Sequence, residues 1–231
     1  MTLNSKKEEY LIYKLADNMK NCIKIDADLF RKLDVKRGLR NEDGTGVLVG
    51  LTNIGNVVGY ERTENGLKPI EGKLYFRGYE ISDLVHAVLN EQRFGFEEIA
   101  YLLLSGGLPD AEELEQFRHL LVGNMPLMSK TMLNIVELEG TDIMNILARS
   151  VLELYTYDNT PDDISRENLM RQSVELISKF PTIIAYAYNM LRHKTFGRSL
   201  HIRHPKENFS LAENFLYMLL GNNYTPLDAR T

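Results

Sequence analysis

The chain carries five histidines, His86, His119, His193, His201 and His204, and a single cysteine, Cys22. No combination of these with Asp or Glu has the close spacing that builds a metal centre. Gly44-Thr45-Gly46 lacks the helix and lysine that would make it a phosphate-binding loop. What the residue types do offer is anion chemistry. Arg192, His193, Lys194, Arg198, Arg203 and Lys206 form the one strongly basic run, and His201 and His204 lie inside it, in Ser199-Leu200-His201-Ile202-Arg203-His204-Pro205-Lys206. Guanidinium groups suit carboxylate and phosphate because they present paired donors in a fixed fork. The plain alternative for His201 and His204 is a pair of solvated loop histidines. Arg77, next to Gly78, stands at a strand-to-helix corner, where an ion pair or bonds to loop carbonyls are its ordinary uses. Arg37 and Arg40 make a weaker cluster that reads as solvated surface, and His86 and His119 sit among leucines on helices, at the core boundary.

Those residues must be positioned mainly by helices. Leu11, Ile12, Leu15, Ala16 and Met19 recur at helical spacing, which predicts an amphipathic helix over 8–19, and residues 26–33 predict a short second one. The composition then turns polar and glycine-bearing to about Gly46. Val47-Leu48-Val49 and Val57-Val58-Gly59-Tyr60 flank Asn53-Ile54-Gly55-Asn56, and Asn65-Gly66 favours a tight turn, so 47–77 predicts a small sheet. Everything after Ile81 reads as helix. Asp110 with Glu113, and Thr141, Thr160-Pro161 and Ser210, are the expected N-terminal caps, and Pro181 is expected to begin a separate helix. Met144, Ile146, Leu147, Val151, Leu152 and Leu154, and again Ile183 to Leu191, leave no polar face. Such helices must be covered on two sides, by the chain's own core or by another subunit.

At 231 residues the chain can bury a real core, with 44% apolar and 26% charged residues. Its net charge of −5 gives no electrostatic case for nucleic acid. The longest apolar run, Phe180 to Leu191, is well short of the ~20 residues a membrane helix needs. Met1 to Glu9 has no apolar stretch of a secretory signal. With one cysteine, the expectation is a cytoplasmic protein.

Several segments together resemble the citrate synthase family. They are Leu74-Tyr75-Phe76-Arg77-Gly78-Tyr79-Glu80-Ile81-Ser82-Asp83-Leu84, Phe96-Glu97-Glu98-Ile99-Ala100-Tyr101-Leu102-Leu103-Leu104 with Gly107-Leu108-Pro109, Lys179 to Tyr188, and Ala212 to Met218. The likeness runs from about residue 35 onward. It implies a mostly α fold, a large helical domain with a small N-terminal β-hairpin, arranged as N-terminal helices and loop over 1–46 and a large domain over 47–231. It implies an acyltransferase of the tricarboxylic acid cycle that condenses acetyl-CoA with oxaloacetate, acetyl-CoA being a co-substrate with no further cofactor, in a homodimer. By the same resemblance His201 and His204 are candidates for binding the oxaloacetate carboxylate, and Arg77 for the coenzyme A site. The family's catalytic Asp and His-Gly-Gly segments have no counterpart here, since the five histidines are followed by Ala, Leu, Lys, Ile and Pro. The expectation is therefore an N-terminal part of such an enzyme, with no catalytic residue and no turnover of its own. A propionyl-CoA-using 2-methylcitrate synthase, and a non-catalytic helical oligomerisation domain, are the alternatives.

Overall fold

A computed structural model describes residues 26–32, 38–40, 46–47, 52–64, 66–137 and 142–230. The chain divides into two compact units, Met1–Leu51 and Thr52–Thr231. In the first, the described elements are helix α1 (Ala27–Lys32) and a bridge between Arg40 and Gly46. The helix expected over 8–19 lies outside the described residues.

The second unit opens with a three-stranded antiparallel sheet, β1 (Gly55–Thr63), β2 (Gly66–Phe76) and β3 (Tyr79–Glu80), in that spatial order. β1 pairs with β2, Val57 opposite Leu74 and Thr63 opposite Gly66, with a register shift between Val58 and Tyr60. The partner expected for 57–60 was 47–49, of which Leu48 and Val49 lie outside the described residues. Most of the hairpin is exposed, and β2 becomes half-buried only from Leu74 onward, where it meets the helices.

The corner after β2 is tighter than a simple strand-to-helix passage. Phe76 pairs with Tyr79 across Arg77 and Gly78, and both intervening residues have positive φ, 49° and 91°. That sign pattern marks the two-residue hairpin turn whose twist matches its strands. Glycine accepts it freely; for Arg77 it costs about 1 kcal/mol.

Helices α2 (Ile81–Asn90), α3 (Phe96–Ser105), α4 (Ala111–Gly123), α5 (Ser129–Glu137), α6 (Ile143–Tyr157), α7 (Arg166–Phe196), α8 (Leu211–Leu220) and α9 (Pro226–Arg230) follow. The capping boxes of α4 (Asp110, Glu113) and α8 (Ser210, Glu213) are both complete. Asp142, rather than Thr141, caps α6, accepting from Asn145 N at 3.2 Å. The core gathers around α7, where Ile183, Ala185, Tyr186 and Ala187 meet Phe117 and Leu121 of α4, Ile135 of α5, Ile146 and Leu147 of α6, and Met218 of α8.

α7 corrects the sequence reading twice. Its cap is Ser165, not Thr160. The Asn168 side chain donates to the carbonyls of Thr160 and Asp163, at 2.9 and 2.7 Å, and so folds the preceding segment into a loop. Pro181 lies inside one continuous 31-residue helix. An interior proline forfeits a backbone bond and costs about 3 kcal/mol. Burial on both sides of it outweighs that cost: Val174 and Ser178 precede it, Thr182 to Ala187 follow, and Thr182 Oγ1 donates to the Met125 carbonyl at 3.0 Å.

The two helices without a polar face also separate here. The second half of α7 is enclosed by the chain itself. On α6, Ile146, Leu147 and Ser150 face the core, whereas Met144, Ala148 and Leu152 stand exposed at four-residue intervals beside Tyr155. No described helix is long and apolar enough to cross a membrane.

Candidate functional site

The basic run folds into a concave wall. At the end of α7, Gly197 takes φ 61° as the C-cap, and His193 Nδ1 lies 2.7 Å from the Arg198 carbonyl, which turns the chain back. The returning segment passes the C-terminal end of α8. Between them lies a cavity of about 420 Å³, lined among others by Asn189, Arg192, Arg198, His201, Arg203 and Asn223.

Each guanidinium-bearing residue here has a distinct support. Arg192 lies over the Tyr188 ring, 5.7 Å from its centroid. Arg203 Nη1 donates to the Met218 carbonyl at 3.2 Å, and Asn189 Nδ2 donates to the same oxygen at 3.1 Å, so the last turn of α8 holds the arginine in place. Gly221 makes room for it: a Cβ there would come within 3.2 Å of Arg203 Nη2, and φ is +70°. Arg198 is exposed and held through its backbone. Among the described residues, no ion pair joins any of these three arginines to a carboxylate.

His204, four residues from the cavity's Asn-and-arginine wall by way of Arg203, is not among its lining residues. Its Nδ1 lies 3.3 Å from the Tyr186 hydroxyl. Burial pushes that phenol up to about 12, so it keeps its proton and donates to a neutral imidazole. The two histidines therefore have different settings, His201 with the arginines and His204 against the core tyrosine. Lys206, the last member of the run, lies over the rings of Phe209 and Tyr217, at 4.7 and 4.1 Å.

Arg77 is engaged on all sides. Its Nε and Nη2 donate to the Leu103 carbonyl at 3.3 and 2.8 Å, and Nη1 donates to Asn53 Oδ1 at 3.0 Å. It ties the end of α3 to the segment before β1 and borders a cavity of about 250 Å³ with Asn53, Asn56 and Tyr75. His86 and His119 are exposed rather than at the core boundary, and His119 Nε2 lies 3.0 Å from Glu115 Oε1.

The largest of these cavities, about 610 Å³, lies between the end of α6 and α7. Its charges are internally matched. Arg171 Nη2 donates to both oxygens of Asp158, at 2.7 and 2.8 Å, and Lys179 pairs with Glu175 at 3.2 Å. The arginine and Gln172, which also donates to it, hold the Asp158 carboxyl well below the usual carboxylate range. A charged ligand there would have to break these pairs. The arginine cavity asks for no such exchange. No group of His, Cys, Asp and Glu suited to a metal ion occurs among the described residues.

Asn189, Asn223 and the Met218 carbonyl escaped the sequence reading. Asn189 had one visible signal, as a polar residue inside the apolar run Phe180 to Leu191. The other two are brought in by folding alone.

Comparison with known proteins gives a consistent result. The family model described as citrate synthase, C-terminal domain, matches residues 42–231. The citrate synthase of Deinococcus radiodurans is 33% identical over 165 residues, covering 69% of this chain and 42% of that protein. The crystal structure of citrate synthase from Pyrobaculum aerophilum superposes with a TM-score of 0.64 at 27% identity, covering 83% of this chain and 46% of the other. A ternary complex of carboxymethyl coenzyme A and oxaloacetate with the citrate synthase of Thermoplasma acidophilum shares the fold, at a TM-score of 0.62 and 20% identity over 78% of this chain and 42% of that one. The chain thus spans about two fifths of the length of the curated relatives it matches, 40% and 42% for two of them.

Proposed function

The chain belongs to the citrate synthase family, and from that membership we propose that it is the scaffold part of an enzyme condensing acetyl-CoA with oxaloacetate to give citrate and free coenzyme A. It is a transferase of the citrate synthase type by family, and the fold is the helical one of its relatives. The chemistry needs a base to take the α-proton of the acyl group, a donor to stabilise the enol, and a second donor to polarise the ketone. None of these roles falls on a residue of this chain that we can name. Its contribution is placement and binding.

The observation that carries this reading is the setting of His201. It stands in a wall of guanidinium groups free of carboxylates, which suits the carboxylates of oxaloacetate. Two measurements test it. Calorimetric titration of oxaloacetate should show binding that His201→Ala weakens; no heat at millimolar ligand would refute the substrate assignment. Thiol release from acetyl-CoA and oxaloacetate should be negligible for this chain alone, and turnover above about 1 s⁻¹ would refute the division into scaffold and catalytic parts.

The same proposal includes a homodimer. Met144, with 72% of its surface exposed, and Leu152, with 71%, flank Ala148 on α6, and Leu133 of α5 is 52% exposed. A two-fold contact would bury this row against its own copy. Sedimentation velocity at micromolar concentration should show a dimer; a monomer refutes it.

A further inference from the structure

We propose that the cavity between the ends of α7 and α8 binds a small polyanion of three or more negative charges, a tricarboxylate or a polyphosphate, in preference to a dianion. The proposal rests on reading that cavity as an anion site, but not on catalysis by the chain.

The argument is one of charge count and of pre-organisation. Arg192, Arg198 and Arg203 border a single cavity of about 420 Å³, with His201 beside them. Two amides, Asn189 and Asn223, complete the polar lining. No carboxylate lines the cavity, although the chain as a whole carries more acidic than basic residues, 32 against 27. Three like charges gathered without counter-ions repel one another, and a bound polyanion relieves that repulsion. A dicarboxylate would leave one guanidinium unmatched.

The arrangement is also built rather than incidental. Arg203 is bound to the Met218 carbonyl and lies where Gly221 leaves space. Arg192 rests on Tyr188, and the turn bearing Arg198 is closed by His193. A ligand meeting these groups has little side-chain freedom left to remove at Arg203 and Arg192, which favours affinity. Asn189 is 7% exposed, so its amide is a fixed part of the floor. The fork geometry of guanidinium fits planar carboxylate and tetrahedral phosphate alike.

The test is calorimetric titration of the chain at low and at high salt with four probes: pyrophosphate, citrate, succinate and oxaloacetate. Pyrophosphate, citrate or both should bind at least about tenfold more tightly than succinate, an advantage that shrinks with salt as exposed charges are screened. Arg198→Gln should cost about tenfold in that affinity, because the residue is exposed and its removal leaves the fold untouched. Arg166→Gln, the same change of net charge at the far end of α7, should cost little. Binding of pyrophosphate without citrate would identify phosphate as the ligand chemistry, and the reverse would identify carboxylate. If oxaloacetate bound as tightly as either polyanion, this proposal would fail while the substrate role of His201 survived. If no probe bound, both would fail. Equal losses for Arg198→Gln and Arg166→Gln would reduce the effect to general electrostatics and overturn the site.

Discussion

Glu97 of α3 is 2% exposed, and its Oε1 accepts from the backbone N–H of Leu211 at 2.8 Å. Leu211 is the first residue of α8, so this N–H is one of the four that a helix start leaves without an internal partner. Ser210 and Glu213 satisfy two other groups through their capping box, which leaves Glu97 as the partner of the first. Replacing Glu97 by Ala removes a hydrogen bond to a charged acceptor, worth about 1.5–3 kcal/mol, and strands a buried donor. It also removes a carboxylate from a helix N-terminus, about 0.3–1 kcal/mol more. The expected loss is about 3 kcal/mol, or about 6–12 °C in Tm for a chain of this size. Glu97→Gln keeps an acceptor oxygen and loses only the charge, so its cost should be about 1 kcal/mol. Urea unfolding at neutral pH followed by far-UV circular dichroism measures both. If Glu97→Ala and Glu97→Gln were equally destabilised, the bond to Leu211 would not be what holds the carboxylate in place. If neither differed from the parent by more than about 0.5 kcal/mol, the scale of an ordinary surface change, the reasoning would fail outright.

Ala148→Glu should convert the proposed dimer to a monomer in sedimentation velocity while leaving monomer stability within about 0.5 kcal/mol, because Ala148 is exposed in the isolated chain; an unfolded monomer would contradict its placement. Asp158 has a folded pKa depressed chiefly by its Arg171 bonds. Its contribution is complete above the unfolded value of about 3.9 and is lost as pH falls below that toward the folded value. Asp158→Asn should therefore be less stable at neutral pH and show a shallower decline below pH 4 in acid titration of stability; an unchanged slope would refute the pairing. Arg77→Ala should lower Tm by losing its bonds to the Leu103 carbonyl and to Asn53, and Arg77→Gly should recover about 1 kcal/mol of that through relief of the positive φ. A Gly variant no better than Ala would show that the turn is unstrained.

What the sequence revealed of this fold was what local chemistry decides. Asp110 with Glu113 and Ser210 with Glu213 each act within four residues, and both boxes form as their spacing predicts. Pro181 marks the limit of that logic. A proline read locally ends a helix, but here the flanking residues are buried on both sides, and tertiary packing carries the helix through. Thr160 failed as a cap for a related reason, because Asn168 takes its carbonyl and Ser165 inherits the helix start. The site divides in the same way. The basic run was visible as a run, and His201 could be singled out within it. That His204 turns instead to Tyr186, eighteen residues earlier, and that the α8 carbonyl of Met218 anchors Arg203, depend on α7 and α8 packing together.

The two larger cavities show why charge alone does not mark a binding site. Arg171, Lys179, Asp158 and Glu175 border the larger one, yet each cation there is matched by a carboxylate. A ligand would have to replace bonds already made, so the net gain is small even where the cavity is roomy. Around Arg192, Arg198 and Arg203 the backbone supplies the support instead: the Met218 carbonyl for Arg203, and the closed turn for Arg198. A carbonyl orients a guanidinium without neutralising it. The positive field therefore stays available, at the expense of repulsion within the cluster that an ion pair would have removed. That repulsion is what a bound anion would relieve. On this reasoning the useful cavity is the one whose arginines are fixed by neutral groups, and it need not be the largest.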